Sequence, residues 1–334
     1  MKPANKLGIA ALLWFVLGGG WFWQTLQQVL HQPAVVGLPV VIEINKGDSF
    51  TQVTDKLLAQ HVQITPFWFK LIAFAGGSVK KLKIGEYELT PGATAPDILA
   101  QFVLGKTKHY ALTIPEGWCF KELLQELARN PHLEHTLTTT DGPTVMAQLG
   151  TDIKHPEGEF FPDTYFFEKH TTDVALLKRA YTKMQQVLQE EWQHRGSPLP
   201  INTPYEALIL ASIVEKETAV VAERPQIAGV FARRLQTGMM LQTDPTVIYG
   251  MAERYQGNIT RVDLKTPTPY NTYTIKGLPP TPIALPGRLA IYAALHPDPG
   301  DALYFVARGD GTHVFSANLK DHNLAVDSFQ RKKK

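Results

Sequence analysis

Val41-Ile-Glu-Ile-Asn-Lys-Gly47, Tyr87-Glu-Leu-Thr-Pro-Gly92 and Ala111-Leu-Thr-Ile-Pro-Glu-Gly117 are three versions of one pattern, an apolar strand running into a turn with glycine. Apolar residues at helical spacing follow each: Phe50, Val53, Leu57 and Leu58; Ile98, Leu99 and Phe102; Phe120, Leu123, Leu124 and Leu127. Each copy therefore reads as strand, turn and amphipathic helix. The glycine supplies a turn conformation that costs other residues more, and Asp48 or Thr94 is placed to cap the helix that follows. Short strands and helices mixed in this way predict an α+β fold.

Such units resemble the LysM module, a small fold that binds N-acetylated glycans in cell walls. Upstream, Leu7 to Trp23 (LGIAALLWFVLGGGWFW) carries no charge and follows Lys2 and Lys6. It reads as a single transmembrane helix with the N-terminus on the cytoplasmic side and Trp21, Phe22 and Trp23 at the far interface. A cleaved signal peptide is the competing reading, but bulky aromatics follow Gly18-Gly19-Gly20 where a small-residue cleavage site would stand. The expected organisation is an anchor over 1–30, an extended linker over 31–39 with two prolines and a glycine, a LysM-like region over 40–150, and a mixed α/β domain over 151–334.

The part beyond the anchor is long enough for two domains with real cores. Cys119 is the lone cysteine, so no internal disulfide forms, and its neighbours Trp118 and Phe120 suit packing. A net charge of +2 with interspersed signs argues against nucleic acid as a partner; the one basic run is the terminal Arg331-Lys332-Lys333-Lys334.

Within 151–334, Asp173 to Gln193 has the one-sided helical spacing of a domain-surface helix. Thr203-Pro204 then opens a second helix as cap and first helical residue. Leu208 to Val214 is apolar except for Ser212, and Glu215 and Glu217 arrive at the far end. At about 100° per residue, Glu217 falls in line with Leu210, Ile213 and Val214, and Glu215 with Leu208 and Ala211. The two carboxylates therefore diverge and cannot form the facing pair of a hydrolytic glycosidase. One can act alone, or with Glu157, Glu159 or Asp163 from elsewhere. A carboxyl on an apolar stripe is desolvated and stays protonated near neutrality, as a general acid requires. The competing reading has both glutamates paired with Lys216, Arg224, Arg233 or Arg234.

Glu215-Lys-Glu-Thr-Ala219, Glu223-Arg224, Val230-Phe-Ala-Arg-Arg-Leu235, Leu241-Gln-Thr-Asp-Pro-Thr-Val-Ile-Tyr-Gly250, Tyr270-Asn-Thr-Tyr273 and Gly277-Leu-Pro-Pro280 together resemble the endolytic murein transglycosylase family, called MltG or YceG-like. The resemblance covers nearly the whole chain. It implies a lytic, non-hydrolytic cut of the β-1,4 bond between N-acetylmuramic acid and N-acetylglucosamine, with Glu217 as the catalytic residue. It also implies no cofactor and no metal, peptidoglycan strands as substrate, association with the wall-synthesis machinery, and a periplasmic bulk anchored in the bacterial inner membrane.

Glu157, Gln242, Thr243, Asp244, Tyr270, Asn271, Thr272 and Tyr273 are the candidate substrate-binding residues, since sugars are held by amides, carboxylates, hydroxyls and aromatic faces. Alternatively, Asp244 and Asn271 tie down their own turns. Gly277 to Gly287 is too proline-rich for helix or central strand and predicts a stiff wall. Leu303–Ala307 and His313–Ser316 predict a hairpin. Two other functions compete: a wall-binding adaptor without catalysis, and a metal-dependent amidase built from His296, His313, His322 and Asp244. The latter lacks any HExxH-like ligand pair.

Overall fold

The computed structural model describes residues 3–331, with side chains from Leu13 to Gln330. Lys2 and Lys332 to Lys334 lie outside the described residues, as do the side chains of Lys6, of Leu7 to Leu12 and of Arg331. Helix α1 (Pro3–His31) opens the chain. Among the described residues no helix is long and apolar enough to cross a membrane; the predicted span from Leu7 lies partly outside them. The chain divides into two compact units, Met1–Tyr110 with Phe167–His170, and Ala111–Phe166 with Thr171–Lys334.

In the first unit α1 is followed by β1 (Val40–Ile44), α2 (Phe50–Ala59), α3 (Pro66–Ala75), β2 (Gly85–Leu89) and α4 (Ala95–Leu104). The strands pair antiparallel, Val40 opposite Leu89 and Ile42 opposite Tyr87. Ile42, Ile44, Tyr87 and Leu89 turn inward onto Val53, Leu57, Phe69, Ile98 and Phe102. Thr94 caps α4 as expected, in a reciprocal box with Asp97. The cap of α2 is Ser49, not Asp48. Ser49 stands one residue nearer the helix and reaches the amide of Gln52, whereas Asp48 accepts from the Asn45 amide at 2.7 Å and pairs with Lys56 at 2.6 Å. Folding begins before Val40. The segment read as a linker is extended, but Ala34 and Val35 are buried and the Ala34 amide donates to the Ala93 carbonyl at 2.7 Å.

The third strand-turn-helix copy, β3 (His109–Thr113) into α5 (Phe120–Arg129), has its helix in the second unit. There Ile114 donates to the Asp163 carbonyl and Phe120 stacks on Phe160. Helix α6 (Gly142–Gln148), strand β4 (Thr164–Glu168), which pairs with β3, and α7 (Asp173–Gln193) follow. Next come α8 (Pro204–Glu217), α9 (Arg224–Gln236), α10 (Asp244–Met251), α11 (Arg261–Lys265) and α12 (Arg288–Leu295). The predicted hairpin is β5 (Tyr304–Ala307) with β6 (His313–Ser316), and α13 (Leu319–Val326) follows it.

Helix α8 is the axis of this unit. Every residue from Ala207 to Val214 is buried, with α7, α9 and α12 packed around it, which is why its sequence is apolar on nearly all sides. Ser212 fits because its hydroxyl donates to the Ile209 carbonyl and accepts from the Ile283 amide. The predicted wall lies along α8 with Ile283, Ala284 and Leu285 buried, and Leu285 exchanges backbone hydrogen bonds with Gly117 and Trp118. It passes so close to Gly158, at φ +81°, that a Cβ there would stand 2.5 Å from the Pro282 Cβ.

Candidate active site

Helix α8 ends on Glu217, preceded two residues earlier by Glu215. The near-opposite directions set by helical spacing send the two to different partners. Glu215 is half-buried with its side chain turned inward, and it accepts from Arg224 Nη2 at 2.8 Å and from the Gly287 amide at 2.9 Å. Both its oxygens are occupied, so it locks the end of α8 to α9 and to the start of α12. Lys216 reaches back to the Gly117 carbonyl at 3.0 Å. Of the two readings for these glutamates, the ion pair describes Glu215.

Glu217, half-buried like Glu215, takes a different donor. The Thr243 hydroxyl donates a short hydrogen bond to its Oε1. Burial pushes the Glu217 carboxyl up to about 7; the Thr243 hydroxyl, His313 and Arg234 pull the other way, and Asp244 adds to the rise. With Oε1 held by Thr243, Oε2 is the oxygen available to a substrate. Glu217 lines a cleft of about 580 Å³ together with Glu116, Trp118, Glu122, Lys216 and Thr218.

Thr243 is placed by a compact threonine cluster. Its amide donates to the Thr272 hydroxyl at 3.1 Å, the Thr246 hydroxyl donates to its carbonyl at 2.7 Å, and the hydroxyls of Thr246 and Thr272 meet at 2.8 Å. The preceding turn is held by Arg234, whose Nη1 donates to the carbonyls of Met240 and Leu241 and whose Nε donates to the Leu303 carbonyl at 2.7 Å. Gln242 sits in this turn at φ +51°, a conformation that costs a non-glycine residue energy. Arg234 is buried, so the guanidinium holds this strained turn from inside the fold.

The predicted binding residues fall into two groups. Gln242 and Asp244 are exposed and Tyr270 and Tyr273 partly so. Tyr273 donates to Asp244 Oδ1 at 2.6 Å, and Tyr270 packs edge-on against Tyr249 while its hydroxyl meets Thr281. Asn271, Thr272 and Glu157 lie inside the framework. Asn271 Nδ2 donates to the carbonyls of Asp263, Leu264 and Thr266, and its Oδ1 accepts from the Tyr273 amide, so it holds the loop that presents Tyr270 and Tyr273. Glu157 accepts from the Phe120 amide and the Tyr249 hydroxyl, both at 3.0 Å, and burial pushes it up to about 7.

Sequence reasoning missed Trp118 as a cleft residue, having read it as packing around Cys119, and gave Arg234 no role beyond a salt bridge. It also missed Glu223, which accepts from both the amide and Nδ1 of His313 and so fixes that ring. The adjacent Glu223-Arg224 in the sequence was the available signal, since one now holds His313 and the other Glu215. Among the described residues no group of three or more His, Cys, Asp or Glu could hold a metal ion. His296 stacks on Tyr292, and His322 on Tyr304.

The sequence pattern of the YceG-like family matches residues 42–328. A Bacillus subtilis (strain 168) protein named "Endolytic murein transglycosylase" is 31% identical over 308 residues, covering 87% of this chain and 84% of that protein. A protein of the same name from Streptococcus pneumoniae serotype 2 is 28% identical over 326 residues, which are 86% of this chain and 58% of that longer relative. The crystal structure of a yceG-like protein of Listeria monocytogenes superposes with a TM-score of 0.54 at 30% identity, covering 86% of this chain and 98% of that one.

Proposed function

The chain belongs to the YceG-like family, and on that premise we propose that it is an endolytic peptidoglycan lytic transglycosylase with Glu217 as its single catalytic group. It cleaves the β-1,4 bond between N-acetylmuramic acid and N-acetylglucosamine within nascent strands and leaves 1,6-anhydro ends. The observation that carries this reading is the division of labour at the end of α8: Glu215 is consumed by Arg224 and Gly287, while burial lifts the carboxyl of Glu217 to about 7 beside an open cleft.

The chemistry needs one carboxyl. Protonated Glu217 gives its proton to the glycosidic oxygen as the bond from that oxygen to muramic C1 breaks. The C6 hydroxyl of the same muramic residue closes on C1, and its proton passes to the carboxylate left on Glu217. One bond breaks, one forms, no water is consumed, and the acid is restored. Thr243 steadies the transient carboxylate. Tyr270, Tyr273, Gln242, Asp244 and Trp118 supply ring faces and hydrogen-bonding groups to the sugars.

In the same reading α1 carries a single membrane span from Leu7 to Trp23. At 1.5 Å per residue this stretch covers about 26 Å, close to the ~30 Å hydrocarbon thickness of a bilayer, and the end of α1 packs on the first unit through Phe22 and Val29. The first unit serves as a LysM-like glycan-binding module and the second as the catalytic one, on the periplasmic side of the inner membrane next to the synthases that extend new strands. Tethering then limits the cut to strands emerging near the membrane and terminates them.

Digestion of purified wall glycan by the full chain, followed by mass spectrometry, tests the chemistry. Anhydro-muramic ends that vanish with Glu217→Gln are expected. Ordinary reducing ends would mean hydrolysis, and no products would mean a wall-binding adaptor. Cells carrying the protein released from α1 should lose control of strand length while the enzyme stays active in the tube; retained control overturns the tethering.

A further inference from the structure

Helix α3 is the most apolar of the short helices of the first unit, Pro-Phe-Trp-Phe-Lys-Leu-Ile-Ala-Phe-Ala, yet only part of it faces the core. Trp68, Phe69 and Ala73 turn inward, while Phe67 and Phe74 stand 66% and 78% exposed. Seven residues apart, these two project from one face of the helix. Large aromatic side chains exposed together on a helix mark a surface that something covers.

The charges around that face name the covering. From Gln60 to Gly85 the chain has no acidic residue and four lysines, Lys70, Lys80, Lys81 and Lys83, all exposed. Trp68 on the other side of α3 packs at 4.8 Å against Phe22 of α1, between Trp21 and Trp23, which are themselves 66% and 63% exposed. Aromatic residues of that kind at the end of a span sit at the headgroup level of a bilayer. Phe67 packs edge-on against Trp68 at 5.4 Å, so the exposed face of α3 continues the aromatic band of α1.

We propose that α3 is an interfacial helix that beds Phe67 and Phe74 into an anionic phospholipid surface, with Lys70, Lys80 and Lys81 on the headgroups. The inference rests on the reading of α1 as a membrane span. An apolar aromatic face flanked by lysines is the composition that lies in the plane of a membrane, and the basic residues favour acidic lipid. The first unit then has two attachments to the bilayer, one through it and one along it.

Spin labels report the depth of each position. In a Cys119→Ser background, single labels go on Phe67→Cys, Phe74→Cys, Phe15→Cys in α1, and Gln60→Cys at the end of α2. The full chain is placed in nanodiscs of phosphatidylcholine with or without phosphatidylglycerol, and collisions with oxygen are compared with those with a water-soluble nickel chelate. Labels at 67 and 74 should favour oxygen several-fold over the label at 60, more so with phosphatidylglycerol, and Lys80→Glu with Lys81→Glu should move them toward water. Labels at 67 and 74 that behave like the one at 60, while the one at 15 lies in lipid, overturn the inference and leave the span standing. A label at 15 in water removes both. Depth that ignores phosphatidylglycerol and the charge reversal overturns the claim for anionic lipid.

Discussion

Replacing Thr243 with valine keeps the branched shape and removes the hydroxyl that donates to Glu217 Oε1. That hydrogen bond favours the ionised form and opposes the burial that lifts the carboxyl to about 7. A hydrogen bond to a charged group contributes roughly 1.5–3 kcal/mol. At 1.36 kcal/mol per pKa unit, its loss raises Glu217 by about one to two units. The reaction begins from the protonated acid, so activity falls as pH rises through the Glu217 value, and that limb should move upward by the same amount in the variant. Maximal turnover should fall as well, since the carboxylate formed in mid-reaction loses its donor. The assay is the rate of anhydro-muropeptide release from purified glycan between pH 5 and 10 (roughly the span over which such a limb is read). Thr243→Ser, which keeps the donor, should retain the parent profile. A limb that stays put in Thr243→Val, or moves downward, refutes the assignment of Thr243 as the group tuning Glu217.

Glu217→Gln should lower the rate of anhydro-end formation by about 10²–10⁴-fold, as expected for loss of a general acid, without lowering the melting temperature, because it removes a carboxyl whose ionisation burial disfavours. Glu215→Gln should do the reverse in emphasis. It strips the buried partner from Arg224, costs on the order of 3 kcal/mol, and shows first as a lower melting temperature. Asn271→Ala leaves three carbonyls without their donor and should destabilise by about 2–3 kcal/mol while raising KM, because the loop carrying Tyr270 and Tyr273 loosens. Glu159 is almost fully buried and pushed by burial from 4.5 to about 7. A carboxyl raised in the folded state contributes its stability below pH 4.5 and loses it as pH climbs to about 7. Glu159→Gln should therefore match the parent at pH near 4 and exceed it by about 3 kcal/mol at pH 8, read from denaturant midpoints.

What was legible in the sequence was local. The helices at Asp173 and Pro204, the Thr94 and Thr203 caps and the closing hairpin all follow from spacing and punctuation within about a dozen residues. Ser49 displaced Asp48 as a cap because two polar residues in a row leave the choice to which side chain meets the third amide. The divergence of Glu215 and Glu217 followed from helical geometry, but which one was free depended on Arg224 and Gly287, and the latter is far along the chain. Asn271 and Thr272 carry the residue types of a sugar site, and only tertiary packing decides that their polar atoms turn inward. Arg234 was illegible for the same reason: its carbonyl partners at 240, 241 and 303 converge only in the fold.

That α8 stops on Glu217 has an electrostatic consequence for the cycle. The last carbonyls of a helix concentrate partial negative charge, and an anion there is disfavoured by about 0.3–1 kcal/mol. Once the proton has gone to the leaving oxygen, the carboxylate faces both its dry surroundings and the tail of its own helix dipole. The returning C6 proton relieves that repulsion. The helix that delivers the acid thus also pulls it back to its starting state, a two- to fivefold bias toward reset by the usual conversion of such energies. In the proposed cycle the helix end therefore favours the protonated form from which the next cut begins.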